Sequence, residues 1–192
     1  MRPSLLVILI LFLLTGCSQQ SRYVRVSPPK AEVPAANLPL EDRQQNWGTG
    51  SCVHASTIYT LRWQGAYKLA DWWRKNYEGG ETANGIRAKL TKAKVKYYST
   101  ESADPAILEY ATKSRRGAII WYFPNHCVTF VGFARQDGRE VAMLLDNNRI
   151  KQYIAIEKQS FLKAWAGYGG FALCPLGDPP PPVLYPAIVE VE

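Results

Sequence analysis

The spacing of apolar residues changes character about halfway along the chain. Through residues 52–116 it follows the helical repeat. "CVHASTIYTLRW" (52–63) is apolar on most sides and long for a strand, which predicts a largely buried helix. "GAYKLADWWRKNY" (65–77) predicts a second helix, closed by the breaker "EGG" at 78–80. Ala83, Ile86, Leu90 and Ala93 recur every three or four residues behind Thr82, a suitable cap. Asp104 and Pro105 open a fourth helix in "DPAILEYATKSRR".

Beyond residue 117 the runs shorten and become rich in β-branched and aromatic residues. "GAIIWYF", "HCVTFVGFA", "EVAMLLD", "RIKQYIAIE" and "GGFALCP" are separated by turn signals such as "QDG" at 136–138, which predicts successive antiparallel hairpins. One helix, "KQSFLKAWAG", interrupts them. Helices first and strands later predict an α+β domain: a central helix at the N-terminal end of a helical half, packed on a C-terminal antiparallel sheet.

The ends behave differently. Residues 1–16 hold one positive charge, Arg2, and an unbroken apolar run from Leu5 to Leu14, the pattern of an export signal. "LLTGC" resembles a bacterial lipobox, which implies that Cys17 becomes the lipid-bearing first residue of the mature chain. The protein is then expected in the cell envelope, anchored through its N-terminal lipid. Ser18, rather than an acidic residue, follows the cysteine, which resembles outer-membrane sorting in hosts with two membranes. Residues 17–41 read as a proline-rich tether, 42–176 as one domain and 177–192 as a proline-rich tail.

Charge alters this picture little. The chain has 23 basic and 16 acidic residues, net +7, and the signal removes one positive charge. The basic residues are dispersed and no nucleic-acid motif accompanies them, so they read as a solvated surface attractive to anionic envelope polymers, with nucleic acid excluded as a partner.

The candidate chemistry starts at "GTGSCVHAS". Cys52 sits at a helix start, where the dipole and a nearby imidazolium can acidify a thiol, and where its own N–H can meet a developing oxyanion. Gly48 and Gly50 permit the sharp approach, and Ser51 is placed to cap. Of the two histidines, His54 lies about 200° round the helix from Cys52 and faces away. His126 opens the strand "HCVTFVGF", at the mouth of a sheet packed against the cysteine helix. If that strand pairs with 140–146 around the "QDG" turn, the polar end of "LLDNN" falls beside His126, and Asp146, Asn147 or Asn148 can accept its ring N–H.

In that order, "GSCVHAS", "HCVTFVGF" and "LLDNN" resemble the papain-like cysteine peptidases over about residues 44–174. The resemblance implies the papain-like fold, with Cys52 as nucleophile, His126 as base and Asn147 as the residue that orients it. "SFLKAW" and the aspartate of "LLD" are similar also to the bacterial double-glycine-cleaving peptidases of the same clan, which implies Asp146 in that role. The family's oxyanion glutamine stands six residues before the cysteine; Asn46 has that place here and Gln45 is one further away, so either amide is the expected donor. The tryptophan usual after the asparagine is replaced by Asn148 and Arg149, and Val53 replaces the aromatic after the cysteine.

With Cys17 lipidated and Cys52 free, Cys127 and Cys174 remain, either bonded in an oxidising compartment or as two separate buried thiols. Two histidines and scattered cysteines give no metal-ligand spacing, and no metal or cofactor is expected. The expected function is a lipid-anchored envelope thiol hydrolase, a cysteine peptidase or amidase. The alternative is an inactive papain-like scaffold serving as a binding or assembly module. A peptide or protein substrate and the membrane are the expected partners.

Overall fold

The computed structural model describes residues 22–26, 34–178 and 187–191; the expected signal, residues 1–16, and Cys17 lie outside them. Among the described residues no helix is long and apolar enough to cross a membrane. The fold is α+β. Among the described residues five α-helices pack on one sheet: α1 (Cys52–Trp63), α2 (Tyr67–Asn76), α3 (Ala83–Lys92), α4 (Ala106–Lys113) and α5 (Lys158–Gly167). The strands are β1 (Arg22–Val26), β2 (Tyr97–Thr100), β3 (Ala118–Trp121), β4 (Cys127–Gln136), β5 (Arg139–Leu145), β6 (Tyr153–Glu157), β7 (Ala172–Pro175) and β8 (Ala187–Val191), ordered β1-β8-β6-β5-β4-β3-β7-β2.

The helices form where the periodicity places them. Thr82 caps α3 by accepting the Gly85 N–H, and Asp104 accepts the Ala106 N–H at the start of α4. Every residue of α1 except Arg62 is buried, because this helix lies between the sheet and α2. The hairpin joining β4 to β5 turns at Asp137 and Gly138, both at positive φ, as an Asp-Gly turn needs.

Four features depart from the expected architecture. First, helices cover both faces of the sheet. Ile119, Cys127 and Leu173 pack with α1, α2 and α3, while Ile120, Val128 and Phe130 pack with α4 and α5. A strand buried on both sides reads as a continuous apolar run such as "VAMLL". Second, the sheet is mixed, since β8 runs parallel to β6, so the expectation of a purely antiparallel sheet does not hold. The long connection through α5 and β7 supplies the crossover that a parallel pair requires. Third, the helical half contributes β2, an edge strand paired with β7.

Fourth, the segments read as tether and tail take part in the sheet. β1 and β8 pair at one edge. Residues 34–38 lie across β4, where the Ala36 N–H donates to the Val131 carbonyl (2.9 Å) at a bulge between Phe130 and Gly132. A Cβ on Gly132, which has φ +129°, would stand 2.8 Å from the Cβ of Ala35, so the close crossing requires glycine. Tyr59 of α1 secures the crossing by donating to the Ala36 carbonyl (2.7 Å) and accepting the Leu38 N–H (3.0 Å).

Of the two alternatives for Cys127 and Cys174, the structure has the second: both are buried free thiols. β3 separates their strands by two strand spacings, about 9–10 Å, the register offsets them further along the strands, and they pack on opposite faces of the sheet. A disulfide spans no more than about 7 Å between Cα atoms.

Candidate active site

The start of α1 and the start of β4 meet at a cleft of about 690 Å³. Cys52, His126 and Cys127 line it together with Gly50, Gly80, Glu81, Trp121, Phe123 and Tyr168. Cys52 enters the helix after Gly50, whose φ of +84° makes the turn. Ser51 occupies the N-cap position without capping; its hydroxyl accepts the Gly79 N–H (2.9 Å) instead. The positive end of α1 therefore remains available to a negative charge on Cys52.

His126 follows a loop in which Phe123 and Asn125 both hold positive φ (65° and 53°). Such conformations cost energy in residues with a Cβ and persist where surrounding packing fixes them. Phe123 lies nearly parallel to the His126 ring, with centroids 6.4 Å apart. The His126 Nε2 donates to Asp146 Oδ1 at 2.9 Å; a carboxylate only accepts, so the proton sits on that nitrogen. Nδ1 is left for the sulfur. Asp146 stands at the end of β5 because Thr129 of β4 pairs with Leu145, and its Oδ1 also accepts the Asn148 N–H (2.9 Å).

The three groups shift one another's protonation. Burial works to raise the Cys52 thiol, but the hydrogen bond from His126, the Cys127 N–H, the imidazolium charge and the Val53 N–H outweigh it and hold it below its ordinary value. Burial works to lower His126, yet the hydrogen bonds and negative charges of Asp146 and Cys52 push it up to about 9. Burial works against Asp146 as well, and the hydrogen bonds from His126 and Asn148 with the charges of His126 and Arg149 keep it below the usual carboxylate range. Each shift favours the charged form of its group: thiolate beside imidazolium beside carboxylate.

Of the two residues expected to orient the histidine, Asp146 does so and Asn147 does not. Asn147 turns inward, and its amide donates to the carbonyls of Cys127 (2.8 Å) and Cys52 (3.0 Å) and to the Ser56 hydroxyl (3.2 Å). His54 faces away from Cys52, as its helical position requires, and accepts the Trp73 indole N–H (3.2 Å) while stacking on Tyr77.

Neither expected oxyanion donor lines the cleft. The exposed Gln45 has its carbonyl bonded to the Gln44 amide, and the Asn46 amide donates to Asn148 Oδ1 (3.1 Å). The connection of Asn46 is to the turn behind the triad, where its N–H also bonds the Asn147 carbonyl (2.8 Å). From the sequence, 78–80 was legible only as a helix breaker and 167–170 only as a helix end running into a strand. They also form cleft walls, with Glu81 held by Lys89 and Tyr168 standing edge-on to Tyr122.

In comparison with other proteins, no protein-family model matches the chain, and no curated protein sequence matches it.

Proposed function

We propose that the protein is a thiol hydrolase with a papain-like fold, a cysteine peptidase or amidase held at the cell envelope by a lipid on Cys17. The observation that carries this reading is His126, whose Nε2 donates to Asp146 at 2.9 Å and which lines one cleft with Cys52. The lipid anchor and envelope placement rest on residues 1–17.

In the reaction, the Cys52 thiolate attacks an amide carbonyl carbon, forming a C–S bond and moving the carbonyl π electrons onto oxygen, which the N–H at the start of α1 can stabilise. The oxyanion collapses, the C–N bond breaks, and the imidazolium gives its proton to the leaving amine. The resulting thioester is opened by water whose proton His126 accepts, so that a carboxylic acid is released and Cys52 is restored. Asp146 holds the ring and stabilises its positive charge throughout.

Iodoacetamide labelling measured against pH tests this reading. Cys52 should react with a limb below the ordinary thiol value of about 8.5, and Cys52→Ala should lose both labelling and hydrolysis. A limb at the ordinary value would favour a second reading, an inactive scaffold used for binding. Its specific support is that Gln45 and Asn46 stand outside the cleft lining, leaving the oxyanion site without a side-chain amide from either.

A further inference from the structure

Asn147 has a different place in the site from the one its sequence position suggests. It is 1% exposed, and its amide reaches main-chain atoms of two elements far apart along the chain: the Cys52 carbonyl on α1 (3.0 Å) and the Cys127 carbonyl on β4 (2.8 Å). Carbonyls only accept, so the NH₂ group must face them and the amide orientation is fixed. The Oδ1 atom is left buried without a partner among the described residues. A half-satisfied buried amide is costly, and its persistence means that the two donated bonds are worth the loss. The backbone of the same residue accepts the Asn46 N–H (2.8 Å), so the loop that leads into Cys52 is joined to this point as well.

We propose that Asn147 is the positioning residue of the Cys52–His126 pair: by bonding the main chain of both elements, its amide fixes the gap across which sulfur and imidazole meet. This rests on the thiol-hydrolase reading and adds to it a residue that touches neither substrate nor reacting atoms. Aspartate and leucine at this position show why the amide is needed. An ionised aspartate sets a third oxygen against two carbonyls, and a leucine leaves both without their donor. The sulfur depends on the gap twice over, because two of the groups that hold its thiol below the ordinary value, the His126 ring and the Cys127 N–H, stand at the start of β4.

The test uses the whole protein and the rate of Cys52 alkylation by iodoacetamide across pH, with Cys52→Ala as the background and urea unfolding as the control on stability. Asn147→Ala should move the alkylation limb up toward the ordinary thiol value. Labelling at pH 6 should then slow by roughly tenfold for every pH unit that the limb moves. Gln64→Ala removes a buried amide bonded to the Pro175 carbonyl and the Gly177 N–H, far from the cleft. It should cost stability and leave the limb in place. Ser56→Ala, which removes only the weakest of the three contacts, should also leave it in place.

If the alanine variant does not fold, Asn147→Ser offers at most one donor and adds no charge beside the thiolate, and is read in the same way. An unmoved limb in the folded variant overturns the proposal. So does an Asn147 side-chain amide that exchanges with solvent in the unsubstituted protein as fast as exposed amides do. An ordinary limb in the unsubstituted protein overturns the hydrolase reading instead, which keeps the two failures distinct.

Discussion

The two histidines of the domain end in different charge states. His126, at the mouth of β4, is raised to about 9; His54, two residues beyond the nucleophile, is lowered to about 4. Burial acts first on both and in the same direction, against the imidazolium. The partners decide the outcome. His126 faces a carboxylate and a thiolate, whereas His54 receives an indole N–H and the repulsion of the Lys89 charge. Burial alone therefore says little about whether a histidine in this protein is a base or a packing residue; the sign of the neighbouring charge does.

The strongest way to break the contrast is to remove the carboxylate. Asp146→Ala should drop His126 from about 9 toward or below its ordinary value and raise the Cys52 limb, with amide hydrolysis at pH 7 falling about 10²- to 10⁴-fold. An unchanged rate would show that Asp146 is not the partner that matters.

The next effect is on stability. His54 is neutral when folded, so above pH 6.5 neither state takes up a proton there and stability is full. As pH falls from 6.5 to about 4 the unfolded chain binds a proton that the folded one refuses, and stability is lost. His54→Asn, whose Oδ1 can still accept the Trp73 N–H, should lose less stability across that window in urea unfolding, and its alkylation should be unaltered. A slope equal to the unsubstituted protein would assign the acid sensitivity elsewhere.

A smaller shift is expected from Lys89→Met. Burial, the first cause, remains, so the His54 ring should titrate above 4 yet still below 6.5 by nuclear magnetic resonance. No movement would leave burial as the whole explanation. The smallest effect belongs to Arg149→Gln. Arg149 Nε lies 3.7 Å from Asp146 Oδ2 and 3.2 Å separates its Nη1 from Glu190, but its side chain is 48% exposed and its charge is screened. The rate at pH 7 should change by less than about twofold, with a slight rise in the acid limb as Asp146 loses one cation.

Much of this was legible from residue spacing. The α1 run, the Thr82 cap, the Asp-Gly hairpin and the placement of Asp146 beside His126 all follow from local period and one strand pairing. The mixed sheet was not legible, because β8 meets β6 only after the chain has crossed through α5 and β7. Nor were the free Cys127 and Cys174: parity in the sequence carries no information about the strand, β3, that lies between them. Ser51 looked like a cap, yet its hydroxyl turned to Gly79, 28 residues away.

By itself, then, the sequence determined which residues carry chemistry and on what kind of element each one sits, since helical and strand periods are properties of neighbouring residues. The tertiary structure decided the roles of Asp146 and Asn147, adjacent residues with side chains of the same shape. The turn after β5 points one outward to the imidazole and the other inward to the main chains of α1 and β4. Hydrogen bonds of that kind join segments 20 to 95 residues apart, and only packing brings their donors and acceptors within reach.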